Sequence, residues 1–226
     1  MFFSSQLNLK EDIFIFSQQC RRFYVNFTKI SKNNFDSYCK SILPRICHRI
    51  ISLTLCGNNS SRPGQFSLLF STFSNNFPKL ESLKLFDYSK TDVELLLSEL
   101  NHLTHLKYLS IGNFQRLMPH PINRNELFNE NIVFPENLTH LAFPHIISDT
   151  WFAKSNQLTS KIQRMHVHFI YMNCLILFLQ KFPYLTHLTA VLSGDNTNNV
   201  FEDKNIFQSL SSLRYLNVNI TPSVRI

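Results

Sequence analysis

The sequence predicts an α/β solenoid with a short helical segment at its N-terminus. A phrase with large apolar residues at its first, fourth and sixth positions occurs seven times in the 226 residues, and the middle residues of successive phrases lie 23 to 32 residues apart. Between phrases the apolar spacing changes from the period of a strand toward that of a helix. A repeat of this length is typical of solenoids, in which each unit packs only against its neighbours.

The seven phrases are predicted strands, because apolar and polar residues alternate in each of them. In chain order they are Ile50/Leu53/Leu55, Leu80/Leu83/Leu85, Leu106/Leu109/Ile111, Leu138/Leu141/Phe143, Ile162/Met165/Val167, Leu185/Leu188/Ala190 and Leu213/Leu216/Val218. A strand followed by a helix and a further parallel strand, repeated along the chain, predicts an α/β array.

Helices are expected between the strands. The clearest is preceded by a capping box, Thr91 to Glu94, in which the Thr91 hydroxyl caps the helix and the run 95–97 with Leu100 and Leu103 supplies the buried stripe. Further helices are predicted at 65–76, 148–158, 171–182 and 205–212. The two prolines of Met118–Pro121 predict a loop over about 112–134, either a tolerated insertion or a binding loop.

The phrases resemble leucine-rich repeats, whose unit reads Leu-x-x-Leu-x-Leu-x-x-Asn or Cys. The resemblance covers roughly 46–221, although the Asn/Cys position is matched only by Asn58. It implies an irregular horseshoe of about seven units over 46–226, with the strands on the concave side.

A second resemblance lies in the first 45 residues. The stretch 7–23 resembles the second half of an F-box, in which a Leu-x-x-x-Asp-Leu turn leads into a helix that ends in Val-Cys-Arg-Arg-aromatic, and 33–53 resembles the linker and first repeat that follow an F-box. The resemblance implies contact with a ubiquitin-ligase adaptor by Leu7, Leu9, Asp12, Cys20 and Phe23. The first half of the motif has no counterpart before Leu7, which predicts either a truncated gene model or lost ligase docking. The alternative is that 1–45 is a helical N-terminal cap and linker.

Composition narrows the classes of function. The net charge is +7, but the basic residues are scattered and only Arg21–Arg22 are adjacent, which disfavours a nucleic-acid interface. Four separated glycines exclude a phosphate-binding loop. Five cysteines without a C-x-x-C pair, and no signal peptide, predict a cytoplasmic or nuclear protein. The longest apolar run, Cys174–Leu179, is far shorter than the roughly 20 residues of a membrane span.

The candidate binding surface consists of the strand residues that alternate with the buried ones. One predicted row is Ser52, Ser82, Tyr108, His140, Arg164, His187 and Tyr215, and the next is Thr54, Lys84, Ser110, Ala142, His166, Thr189 and Asn217. Tyrosine and arginine are favoured anchors of protein interfaces. We therefore expect a protein target to contact Tyr108, His140, Arg164, His166, His187, Tyr215 and Lys84 on the concave face. The alternative is that these side chains are polar only because the face is solvated.

No catalytic or cofactor chemistry is predicted. His166 and His168 have a two-ligand spacing, but no Asp, Glu or Cys lies in the adjoining strand positions, and Arg164 would repel a cation. A nucleophile elbow is also absent from the sequence. The predicted function is therefore protein recognition, as a substrate-receptor-like component related to cullin-based ubiquitin ligases. The alternatives are a stand-alone repeat scaffold with no ligase link, or a basic nucleic-acid binder.

Overall fold

The chain is an α/β protein with one open sheet of eight parallel strands, arranged in sequence order from β1 to β8. The computed structural model describes residues 22–28, 30–57, 69, 77–88, 90–112, 134–143, 161–168, 175, 179, 182–193 and 212–221. The strands are β1 Phe23–Asn26, β2 Ile50–Cys56, β3 Ser82–Phe86, β4 Tyr108–Gly112, β5 His140–Phe143, β6 Arg164–His168, β7 His187–Ser193 and β8 Tyr215–Thr221.

Helical segments connect some of the strands. They are α1 Lys32–Ser41, α2 Leu43–Ile46, α3 Lys90–Glu99 and the 3-10 turns Cys47–Arg49 and Leu100–His102. Buried helical residues are also described singly at Leu69, Leu175 and Leu179. They lie within the helices predicted at 65–76 and 171–182, whose other residues fall mostly outside the described part. No helix in the described segments is long and apolar enough to cross a bilayer.

All seven apolar phrases form or lead into strands, as predicted. In the first six, every apolar member is buried, because these side chains point to the same face of the sheet and pack into one hydrophobic cluster. The seventh phrase differs, since its middle residue Leu216 is 46% exposed. This residue belongs to β8, which lies at the end of the strand order and has a neighbouring strand on one side only.

The strands from β2 to β8 share a single register. The middle residues of the seven phrases are direct partners from one strand to the next, in the order Leu53, Leu83, Leu109, Leu141, Met165, Leu188 and Leu216. A shift by one residue would turn the apolar side chains of a strand to the opposite face, so the buried pattern specifies this pairing.

A tight turn precedes several strands and sets where each begins. In four units the amide of the first apolar residue of the phrase donates to the carbonyl three residues earlier, namely Leu80 to Phe77, Leu106 to Leu103, Leu138 to Pro135 and Leu185 to Phe182. In two of them a Phe-Pro pair opens the turn, at 77–78 and 182–183. Proline suits the second position of such a turn because its φ is already fixed near the required value.

The N-terminal part of the described chain adds a strand that the phrases do not predict. In β1, Val25 lies beside Leu53 in parallel register, and the Phe27 amide donates to the Thr54 carbonyl at 2.8 Å. Arg22 stands where the phrase would require its first apolar residue, which hides this unit from a search for the pattern.

Helix α1 covers this end of the core. The Ser31 hydroxyl accepts from the Asn34 amide and caps the helix. Phe35 and Tyr38 then pack edge-on against Phe27, each with a centroid separation of 5.0 Å. The boundary predicted between residues 45 and 46 falls inside α2.

Helix α3 corrects one detail of the prediction. It begins at Lys90, so Thr91 lies inside the first turn and is not the N-cap that the capping box predicts. The predicted buried stripe is confirmed at Leu96, Leu97, Leu100 and Leu103, whereas Leu95 is exposed. The predicted loop after Gly112 and the helices at 148–158 and 205–212 lie almost entirely outside the described residues.

Candidate functional site

The candidate site is the open face of the sheet, meaning the face whose side chains alternate with the buried ones. The structure places the two predicted rows there in the predicted register: Ser52, Ser82, Tyr108, His140, Arg164, His187 and Tyr215 are partners across successive strands. Tyr24 of β1 extends this row by one position, beside Ser52, and is largely exposed.

Five successive residues of the first row are, in strand order, Tyr, His, Arg, His and Tyr, an order that is symmetric about the arginine. We call Tyr108, His140, Arg164, His187 and Tyr215 the central row. The rings of Tyr108 and His140 lie 6.1 Å apart at 35°, and those of His187 and Tyr215 lie 5.9 Å apart at 30°. Arg164, whose side chain is exposed, stands between these two pairs.

Bifurcated backbone hydrogen bonds hold the start of each of these strands. In β4 to β8 the first strand residue and the residue before it both donate to one carbonyl of the preceding unit. For β6 the amides of Gln163 and Arg164 donate to the Thr139 carbonyl at 2.9 and 3.0 Å. Because the same bond pair recurs from strand to strand, the members of the central row are fixed at equal heights on the sheet.

Two threonines contact the Nδ1 atoms of the row histidines. The Thr139 hydroxyl lies 3.2 Å from the Lys107 carbonyl oxygen and 2.8 Å from His140 Nδ1. Its single proton serves one of these two acceptors, and when it is given to the carbonyl the hydroxyl oxygen accepts from His140 Nδ1–H. In either arrangement Nδ1 is engaged by Thr139, and Nε2 is the ring nitrogen left for a partner.

The same arrangement is repeated two strands away. The Thr186 hydroxyl donates to the Gln163 carbonyl at 2.9 Å, and the His187 Nδ1 lies 2.9 Å from that hydroxyl. Both histidines thus belong to a Leu-Thr-His-Leu sequence, at 138–141 and 185–188. The repeated sequence is visible along the chain, but the contact of each threonine with the preceding unit is shown only by the structure.

The electrostatics of the open face favour anions. None of the eight strands contains Asp or Glu, while the face carries Lys84, Arg164 and several histidines. Burial lowers the pKa of His140, and the positive charges of Arg164 and His187 lower it further. Because Arg164 is always protonated, the centre of the row is positive at every physiological pH.

The second row contributes two of the predicted site residues. The Lys84 ammonium lies 5.3 Å from the centroid of the Tyr108 ring, so it leans toward the central row in a cation–π contact. His166 is an exposed member of the second row, beside Ala142 and Thr189. The seven predicted binding residues therefore lie on one face, and their role in binding stays a prediction.

Of the five F-box-like residues predicted to contact a ligase adaptor, the structure describes only Phe23. Leu7, Leu9, Asp12 and Cys20 lie outside the described residues. Phe23 is the first residue of β1, so a helix over 7–23 would have to end before it. Its ring is partly buried against the core, and the Arg49 guanidinium carbon lies 6.0 Å from its centroid.

Metal ligation was also considered for the open face. Within the described segments, no group of three or more His, Cys, Asp or Glu side chains is placed to hold a metal ion. The side chain of His168, the second member of the predicted ligand pair, lies outside the described part.

Comparison with known proteins leaves the chain without an assigned family. No protein-family model matches the sequence, and no curated protein matches it. Function must therefore be inferred from the open face itself.

Proposed function

We propose that this chain is a protein-recognition module: a leucine-rich-repeat-like solenoid, curved as a horseshoe, that binds a protein target on the open face of its strands. The observation that carries the proposal is the central row, in which two tyrosines and an arginine stand on an exposed face at a common height. These residue types are enriched among the anchors of protein interfaces, because they combine large contact area with hydrogen bonding.

A solvated face without a partner is the competing explanation. Two features of the open face favour binding over that alternative. Tyr24 and Tyr215 are large aromatic side chains that remain largely or half exposed, at 68% and 49%. Long lysines and carboxylates are more typical of a merely solvated strand face than stacked rings are.

The recognition surface can be tested by affinity purification with quantitative mass spectrometry from the source cells. We expect the double variant Tyr108→Ala/Tyr215→Ala to lose partners that the wild-type chain retains. Tyr184→Ala is the matched control, because Tyr184 is 60% exposed but lies in the turn before β7, off the row. Equal partner sets for the row variant and the control would contradict the proposal.

We further propose that the module serves as a substrate receptor related to cullin-based ubiquitin ligases. The support is the F-box-like stretch 7–23, which ends at Phe23, the first residue of β1. Co-purification of the ligase adaptor with the chain, lost when Leu7 and Leu9 are changed to Ala, is the expected result. A chain that recovers partners through the central row but never the adaptor would instead be a stand-alone scaffold.

A further inference from the structure

We propose that the centre of the open face is a receptor for a carboxylate side chain of an acidic protein segment, with Arg164 as the charged anchor and His140 and His187 as flanking donors that each bind a proton when the carboxylate arrives. The proposal rests on the proposed recognition function and specifies the chemistry of its partner.

The first step is the geometry around Arg164. His140 and His187 are its direct neighbours on the two adjoining strands, so their backbone positions are separated by about 9.6 Å, twice the spacing of adjacent strands. A carboxylate bound to the guanidinium fork between them lies within reach of both rings. Arginine is suited to this role because its planar donors match the two oxygens of a carboxylate.

The second step is the hydrogen bonding of the two histidines. Thr139 and Thr186 each engage Nδ1 of the histidine that follows, at 2.8 and 2.9 Å, so Nε2 is the ring nitrogen left for a partner. A protonated imidazole always has an Nε2–H donor and a positive charge. Anion binding and proton binding therefore favour each other.

The third step is the set of charges near these rings. From the adjoining strands, the titratable and charged groups facing His140 and His187 are Tyr108, Arg164, His166 and Tyr215. Lys84, one strand further on, lies over the Tyr108 ring. No strand supplies a carboxylate, and the nearby Glu81 pairs with Lys107 at 3.1 Å at the strand-start edge. No described carboxylate forms an ion pair with Arg164. Among the described residues, the positive charge of this face is left without a facing carboxylate, and an acidic partner would supply one.

The same contacts favour an acidic peptide over single-stranded nucleic acid. Base recognition without pairing needs exposed aromatic faces on which bases stack. In the central row each tyrosine ring lies beside a histidine ring, with centroid separations of 6.1 Å in a tilted pair and 5.9 Å in a stacked pair. The histidine beside each tyrosine leaves fewer open ring faces for bases, whereas the charge of Arg164 suits a carboxylate.

The test is fluorescence anisotropy of the full chain with a labelled hexaglutamate peptide and with its hexaglutamine counterpart, at constant ionic strength. We expect the chain to bind hexaglutamate but not hexaglutamine. The affinity for hexaglutamate should rise about tenfold from pH 7.5 to pH 6.0, because His140 and His187 take up protons on binding. The peptide itself stays ionised over this range, since the pKa of glutamate is about 4.3.

Three variants separate the contributions. Arg164→Gln should weaken hexaglutamate binding by about tenfold or more, as expected when a charged hydrogen-bonding partner is removed. Arg214→Gln removes the same charge from an exposed position just before β8, off the central row, and should leave the affinity unchanged. His140→Gln/His187→Gln should retain weaker binding through Arg164 but lose its pH dependence.

Two results would overturn the proposal while leaving the proposed function intact. One is a failure to bind hexaglutamate by a chain whose cellular partners still depend on Tyr108 and Tyr215. The other is hexaglutamate binding that is insensitive to pH and to Arg164→Gln. Preferential binding of a labelled oligouridylate, lost at high salt and in Arg164→Gln, would replace the acidic peptide with nucleic acid and contradict both proposals.

Discussion

At the scale of single residues, a hydroxyl one position before a strand holds the histidine that begins the strand. The Thr139 hydroxyl lies within hydrogen-bond distance of both the Lys107 carbonyl and His140 Nδ1. The imidazole is thereby oriented before any ligand is present. Such positioning lowers the cost of binding, because less side-chain freedom is lost when a partner arrives.

The role of Thr139 gives the first prediction. In Thr139→Val the imidazole of His140 loses the hydrogen-bond partner of its Nδ1, and we expect the balance of its two neutral tautomers to change. Long-range ¹⁵N–¹H correlation spectra of the histidine side chains at pH 8 report the tautomer directly. Thr54→Val, on the same face but two strands beyond Tyr108, is the matched control. Unchanged His140 nitrogen shifts in Thr139→Val would contradict the assignment.

The pKa of His140 gives the second prediction, on stability. Folding lowers this pKa through burial and the charges of Arg164 and His187, so below its unfolded value of about 6.5 the unfolded chain binds more protons than the folded chain. Above about pH 6.5, His140 is neutral in both states and does not reduce the free energy of unfolding. As the pH falls from there through the folded-state pKa, the free energy of unfolding declines.

Chemical denaturation between pH 7.5 and pH 5.5 measures this effect. The free energy of unfolding should decline more steeply with falling pH in the wild-type chain than in His140→Gln. An identical slope in both proteins would show that His140 titrates normally in the folded state.

At the scale of elements, the close approach of neighbouring units depends on one glycine. A Cβ on Gly57, directly after β2, would lie 2.7 Å from the Asp87 carbonyl oxygen and 2.9 Å from Cδ1 of Tyr88. The backbone of the next unit cannot move away without breaking the bond from the Gly57 amide to the Phe86 carbonyl at 2.8 Å. A Cβ on Gly112, the last residue of β4, would lie 3.1 Å from the Phe86 ring, and the Leu85 carbonyl oxygen would be at an ordinary contact distance of 3.7 Å.

This difference gives the third prediction. Gly57→Ala should cost about 1–3 kcal/mol of stability, because overpacking against backbone is not relieved by a side-chain shift. Gly112→Ala is the matched control and should cost less, since the Phe86 ring can rotate or shift by a few tenths of an ångström. Thermal unfolding of the two variants checks the order, and a larger loss for Gly112→Ala would contradict it.

The sequence predicts most of the strands, but it does not predict β1 or the Thr-His pairs. The strands β2 to β8 and their register followed from the apolar phrase, because one buried face is enough to specify period and pairing. Strand β1 could not be found in this way, since Arg22 occupies the first apolar position and tertiary packing on Phe27 completes the unit. The Thr-His pairs were also missed, because a hydrogen bond to the preceding unit is invisible without the register.

At the scale of the whole molecule, stability should depend on position along the array. Leu109 lies fully buried between Leu83 and Leu141 on the neighbouring strands, whereas Leu216 of β8 is 46% exposed. In the solenoid that we propose, each unit packs only on its neighbours, so an interior cavity is expected to weaken the units on both sides.

This contrast gives the fourth prediction. Leu109→Ala should cost about 2–5 kcal/mol through lost burial and a residual cavity. Leu216→Ala removes the same atoms from a half-exposed site and should cost about 1 kcal/mol. Equilibrium unfolding in urea measures both, and equal costs would show that the interior register is wrong.

The most direct measurement of the central claim is site-specific photo-crosslinking in the source cells. A benzophenone amino acid at Thr189, beside the central row on β7, should yield discrete protein adducts. The same group at the exposed Lys40 of α1 is the control and should not yield those adducts. Adducts from Thr189 that disappear with Tyr108→Ala/Tyr215→Ala are the result that the account predicts. Two results would contradict a recognition surface on the open face of the sheet. One is the same set of adducts from both positions, and the other is adducts from Lys40 with none from Thr189.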